Sequence, residues 1–99
     1  MTINKTLNGK ELIIEIEGRL DTTTAPDLEN ELKASLDGIE ILIMNLEKLD
    51  YISSAGIRVI LSTQKTMNKQ GEMVVRNVNE TISEIFEVTG FSDILDIEK

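Results

Sequence analysis

The sequence contains no cysteine and no histidine. Without cysteine there is no disulfide framework and no thiolate site. Without histidine the chain alone offers no imidazole base, no Ser-His-Asp triad and no His-ligated metal centre. Long apolar runs are also missing. The longest is Ile41-Leu42-Ile43-Met44, far short of the ~20 residues that span a bilayer. The opening residues, Met1-Thr2-Ile3-Asn4-Lys5, lack the apolar stretch of a signal peptide. No cluster of Lys and Arg offsets the formal net charge of −8. A nucleic-acid backbone and an anionic membrane are therefore both disfavoured as partners. Basic protein surfaces are favoured, although scattered acids also suit a plain solvated surface. No acid pair is spaced for catalysis. These absences predict a cytoplasmic, non-enzymatic protein with no cofactor and no metal.

What remains is an ordinary soluble balance, 40% apolar and 28% charged over 99 residues. That length fits one domain, residues 1–99, with a modest core. Leu12 to Glu17 alternates like a half-exposed strand. Lys5-Thr6-Leu7 forms a candidate strand before it, with Asn8-Gly9 as a hairpin turn. Thr24-Ala25-Pro26-Asp27 reads as a helix start, with Thr24 as the cap. Leu28, Leu32 and Leu36 follow as one apolar stripe, and Asp37-Gly38 ends that helix.

Ile39 to Leu46 is nearly continuous in apolar residues, as in a strand covered on both faces. Residues 47–51 read as a connector. A second helix is expected over about Ala55–Lys69, with Gln70-Gly71 as its stop. Glu72–Arg76 is the next strand. Asn79 is the expected N-cap of a third helix carrying Ile82, Ile85 and Phe86. One short turn over residues 91–95 and a last strand over residues 95–97 follow. Helices before and after a buried strand predict an α/β architecture. Met44, Met67 and Met73 read as packing.

The chemically suggestive segment is Asp50-Tyr51-Ile52-Ser53-Ser54-Ala55-Gly56-Ile57-Arg58. Two hydroxyls stand where a connector meets a helix. Capping alone would account for one of them. Gly56 is odd in a first helical turn, because glycine there costs about 0.5–1 kcal/mol relative to alanine. A close approach must favour it, either to a partner or within the domain. A serine-hydrolase elbow would need Gly at position 52 and a base; Ile52 stands there. A phosphate-cradling loop would need more glycines and an adjacent lysine. Besides capping, a better fit is that the serine receives a phosphate from another protein. A phosphoserine carries about −1.5 to −2 charge, which a helix N-terminus tolerates. A partner packed on the same spot would not tolerate it.

With these landmarks the sequence resembles the STAS-domain anti-sigma factor antagonists of bacteria. The resemblance runs through Gly18-Arg19-Leu20-Asp21, the strand at Ile41–Leu46, Tyr51 to Ile60, Gly71 to Val75, and Ile85 to Phe91. It implies a mixed sheet of four or five strands packed against three or four helices. It implies that the unphosphorylated chain captures an anti-sigma factor that is also a serine kinase, freeing a sigma factor. Phosphorylation of the motif serine would end capture, and a PP2C-type serine phosphatase would reverse it. Aligning Gly56 with the family's motif glycine places Ser54 at the modified position, with Ser53 as second choice. Asp21, Thr23, Thr24, Ser53, Ser54, Gly56 and Arg58 are then the expected partner-binding residues. Asp21 either meets the kinase, orders the serine turn or caps its own loop. Arg58, four residues beyond Ser54, shares its helix face and could meet a partner acid or the phosphate. Tyr51 and Ile52 each read as core or interface, with core favoured for Ile52. Two other roles fit the same domain: a STAS subunit of a lipid-transport or stressosome-like assembly, and a small-ligand-binding module.

Overall fold

Alternation along residues 11–20 builds the strand from which the sheet grows. In the computed structural model, which describes residues 1–98, β1 (Thr2–Asn8) and β2 (Glu11–Leu20) form an antiparallel hairpin. Its loop is Gly9-Lys10, one residue later than expected, because Asn8 pairs with Glu11. Gly9 takes φ +60°, the left-handed backbone that tight hairpin loops require. The remaining strands run parallel to their neighbours. β3 (Ile41–Asn45) lies beside β2, β5 (Glu72–Arg76) beside β3, and β6 (Ile97–Glu98) beside β5. The last residue of the expected domain, Lys99, lies outside the described residues.

A further strand stands where a connector was expected. β4 (Leu49–Ile52) pairs with Gly18–Leu20 at the end of β2, with a register shift between Gly18 and Arg19. The described sheet therefore has six strands, in the order β1-β2-β3-β5-β6 with β4 beside the end of β2. Leu49 and Ile52 are buried while Asp50 and Tyr51 are exposed. Two inward positions in four residues are too weak a pattern to read as a strand in sequence.

Three helices, α1 (Ala25–Ser35), α2 (Ser54–Asn68) and α3 (Glu80–Val88), pack on the sheet. A 3-10 turn at Phe91–Asp93 follows α3. The α1 stripe of Leu28, Leu32 and Leu36 is buried as its spacing predicts. It meets Ile57, Ile60 and Met67 of α2, Ile82 and Phe86 of α3, and one face of the strands in a single core. That strand face carries Leu12, Ile14 and Ile16, then Leu42 and Met44, then Met73 and Val75, aligned by register.

The sequence predicts cover on both faces of β3. The structure gives it helical cover on one. Ile13, Ile43 and Val74 line up across the opposite face and stand outside the core cluster. Ile43 is still buried, flanked by the β-branched chains on either side in its row. A central strand thus reads as doubly covered without a second helical layer.

Candidate functional site

The parallel pairing of β2 with β4 carries two chain segments out at the same end of the sheet. Residues 21–24 leave β2 and lead into α1. Ser53 leaves β4 and leads into α2. The Ser53 N–H donates to the Leu20 carbonyl at 2.9 Å, so the two segments are tied at their base. The serine turn and the Asp21 loop, separate in sequence, are thereby neighbours.

The two serines are not equivalent. Ser53 is the N-cap of α2, in extended backbone, and its Oγ accepts from the Gly56 N–H at 3.4 Å. Its carbonyl accepts the Ile57 N–H at 3.0 Å. Ser53 is half-buried and engaged. Ser54 is the first residue of the helix, exposed, and its hydroxyl has no hydrogen-bond partner among the described residues. The first turn of α2 carries no acidic residue. The positive end of its dipole is thus not neutralised from within.

Gly56 is buried, and the close approach it permits lies inside the domain. A Cβ there would stand 2.6 Å from Leu20 Cγ, 2.9 Å from Leu20 Cδ2 and 3.0 Å from Ile52 Cγ1. Gly56 therefore lets α2 start directly against the ends of β2 and β4. It sets where Ser54 stands and offers a partner no side chain of its own.

Asp21 caps its own loop. Its Oδ1 accepts from the Thr23 N–H at 3.0 Å, the Thr23 hydroxyl at 2.7 Å and the Thr24 N–H at 3.2 Å. The Thr23 hydroxyl above all, helped by these amides, holds the carboxyl below its ordinary value against a smaller opposing effect of burial. Thr24 occupies the N-cap position of α1 but makes no side-chain cap bond. Its hydroxyl donates to the Arg19 carbonyl at 2.9 Å and accepts the Asp21 N–H at 2.9 Å. The expected cap is thus spent on bracing the loop, because Thr24 has helical rather than extended backbone and its hydroxyl is held between the Arg19 carbonyl and the Asp21 N–H. Thr23 is exposed beside it.

Arg58 is exposed on α2, one turn beyond Ser54. It lines a shallow groove between α1 and α2 with Thr22, Pro26, Glu29 and Ala55. The site therefore presents Ser54, Arg58 and the Asp21–Thr23 loop at one end of the fold. Two residues outside the expected set stand there as well. Arg19 and Tyr51 face each other across the β2–β4 pair, and the Arg19 guanidinium lies 4.3 Å from the centre of the Tyr51 ring. The sequence reads Tyr51 as core or interface but not as the partner of Arg19, because only the hidden β4 strand reveals that pairing. Among the described residues no group of three or more Asp, Glu, His or Cys is arranged to hold a metal ion. None of the described helices is long and apolar enough to cross a membrane.

Comparison with known proteins is consistent along the chain. The STAS domain model matches residues 2–99. The sequence is 39% identical to BtrV of Bordetella bronchiseptica over 88 residues, which is 87% of this chain and 76% of that protein. It is 30% identical to the anti-sigma-B factor antagonist of Staphylococcus aureus (strain NCTC 8325 / PS 47), over all of this chain and 94% of that one. The fold superposes on an anti-sigma factor antagonist from Mycobacterium paratuberculosis with a TM-score of 0.88 at 19% identity, covering 98% of this chain and 84% of the other. It superposes on the phosphorylated form of the Bacillus cell fate determinant SpoIIAA with a TM-score of 0.77 at 16% identity, covering 99% and 92%.

Proposed function

Since the chain belongs to the STAS-domain family of anti-sigma factor antagonists, we propose that it is a partner-binding switch set by phosphorylation of Ser54. In the unphosphorylated form it captures an anti-sigma factor that is also a serine kinase, and so releases a sigma factor. The kinase transfers the γ-phosphoryl of ATP to Ser54 Oγ. The bond to the ADP oxygen breaks, and the hydroxyl proton passes to a base on the kinase, since this chain has no histidine to take it. A PP2C-type serine phosphatase restores the hydroxyl by transferring the phosphoryl group to water and releasing inorganic phosphate.

The observation that carries this reading is the contrast between the serines. Ser53 is engaged as a cap, while Ser54 is exposed and unbonded at the head of α2. A phosphate on Ser54 would meet the free N–H groups and positive dipole end of α2, which together favour an anion. The domain keeps its fold. A partner packed over Ser54 instead meets a group of about −1.5 to −2 charge and has to desolvate it. Asp21, Thr23 and Thr24 support this as a rigid neighbouring loop, Arg58 as a charged contact on the same helix, and Gly56 as the residue that seats the turn.

The test pairs the chain with its cognate kinase. Incubation with ATP followed by peptide mass spectrometry is expected to place the phosphate on Ser54, and Ser54→Ala is expected to abolish labelling. Ser54→Asp is expected to weaken kinase binding at least tenfold in calorimetry, the scale of a desolvated charge left unpaired, with Tm unchanged or slightly raised. Labelling that persists in Ser54→Ala, or equal affinity of Ser54→Asp and wild type, would overturn the assignment.

A further inference from the structure

Phe86 is fully buried and Phe91 packs half-buried against the core. Tyr51, the chain's one tyrosine, is left at the surface with 38% of its area exposed. It belongs neither to the core cluster nor to the side chains packed on it. It is nevertheless partnered. Tyr51 pairs in register with Arg19, whose guanidinium lies over the ring. Arg19 Nε in turn stands 3.9 Å from Asp21 Oδ2. Asp21 is held by its own loop hydrogen bonds. The ring is thus exposed and backed by Arg19 across two paired strands, which reduces the rotamer freedom to be lost on binding.

We propose that the Arg19–Tyr51 stack is the anchor of the surface that captures the kinase. This rests on the switch reading above and names the residues through which that reading gains its affinity. Tyr51 is three residues before Ser54, a reach of about 10 Å even if fully extended. The Leu20–Ser53 backbone bond closes the gap between the segments that carry the stack and the serine. Leu20 and Ile52 of the same two strands turn inward toward α2, so the stack stands on the other face. A partner seated on Ser54 reaches Tyr51 by extending over this end of the sheet. Exposed tyrosine and arginine are the residue types that dominate binding when a partner desolvates them. Two of the chain's three arginines, Arg19 and Arg58, flank this turn in a molecule of net charge −8. The partner surface is therefore an apolar pocket for the Tyr51 ring with a carboxylate beside it for Arg19.

The experiment measures the affinity of the cognate anti-sigma factor kinase by calorimetry for wild type, Tyr51→Ala, Tyr51→Phe, Arg19→Ala, Val88→Ser and Ser54→Asp. Val88 is a more exposed apolar residue outside the site. Tyr51→Ala is expected to weaken binding about tenfold or more, as truncation of an interface anchor does. Tyr51→Phe keeps the ring and is expected to stay within about threefold of wild type, and Arg19→Ala to fall between them. Val88→Ser is expected to bind as wild type. Circular dichroism melts check that Tyr51→Ala is folded; Tyr51→Phe carries the conclusion if it is not, since an intact ring that binds and a lost Arg19 that weakens binding still identify the stack. If Tyr51→Ala and Arg19→Ala both bind within twofold of wild type while Ser54→Asp has lost affinity, the anchor is refuted and the switch stands. If Ser54→Asp binds as wild type while Tyr51→Ala does not, the anchor stands and the switch fails. If wild type does not bind the kinase, both are overturned.

Discussion

Gly56→Ala sets two known quantities against each other at the proposed switch. Alanine is the better helix former by about 0.5–1 kcal/mol, so on propensity alone the change stabilises α2. The added methyl, however, would stand 2.6 and 2.9 Å from two atoms of Leu20 and 3.0 Å from Ile52. Both of those side chains are almost wholly buried, at 0% and 3% exposure. Neither has open space to retreat into, and inserting a methyl into a packed core costs about 1–3 kcal/mol. The packing effect is the larger, and a net loss of about 1–2 kcal/mol is expected. For a domain of this size that lowers Tm by roughly 4–16 °C. The Leu20 carbonyl that holds the Ser53 N–H sits on the residue that has to move. Phosphorylation of Ser54 is therefore expected to slow as well, measured as kcat/KM for the cognate kinase at a temperature where the variant is fully folded. Calorimetric unfolding gives the first number and single-turnover kinase assays the second. A variant at least as stable as wild type would refute the claim that steric closeness, and not chance, keeps glycine here.

Gly71→Ala is expected to be more damaging, by about 3 kcal/mol or more. Its Cβ would fall 1.8 Å from the Glu40 carbonyl oxygen, which is backbone and also accepts the Glu72 N–H; urea titrations ranking it milder than Gly56→Ala would contradict this. Asp21→Asn tests the loop cap through pH. The Asp21 carboxyl has a folded pKa below its unfolded one, so its contribution to stability is whole at neutral pH and is lost as pH falls past the ordinary aspartate range and through the lowered value. Wild type is expected to melt above Asp21→Asn at pH 7, with the gap closing in acid; a gap that is constant with pH would sink the cap. Ser53→Ala removes a long cap bond and is expected to cost about 0.5–1 kcal/mol, while Ser54→Ala changes stability by less than about 0.5 kcal/mol. The reverse order in denaturation midpoints would place the cap on the wrong serine.

Much of the fold was legible because helical stripes are redundant. Leu28, Leu32 and Leu36 repeat one message at three positions, and Asn79 stands where its side chain accepts the Ile82 N–H at 2.9 Å. The serine motif was legible for a different reason: two hydroxyls and a glycine at a helix start are locally unusual. Short-range patterns fail where a residue's role is set by a distant strand. β4 carries two inward residues and takes its pairing from Gly18–Leu20, about thirty positions earlier. Thr24 reads as a helix cap until the Arg19 carbonyl and the Asp21 N–H are placed beside its hydroxyl. Asp21 followed by three threonines did hold a signal, since aspartate commonly bonds the backbone two residues on. The single-sided cover of β3 was hidden because β-branched neighbours bury a central strand almost as well as a helix does.

The division of labour between the serines gives the proposed switch its energetic logic. A cap hydroxyl is already an acceptor for a backbone N–H, and a phosphate on Ser53 would have to displace that bond within a half-buried turn. Ser54 stands one residue further, where α2, with no acid in its own first turn, points its positive end. Phosphate there gains from the dipole and loses no bond among the described residues. The perturbation to the fold is small for the same reason that the perturbation to a bound partner is large. The charge remains at the surface, where water solvates it in the free protein and a docked surface excludes that water. A chain without histidine or cysteine needs no chemistry of its own for this. It has to hold one hydroxyl outward and one inward, and Gly56, packed against Leu20, fixes both.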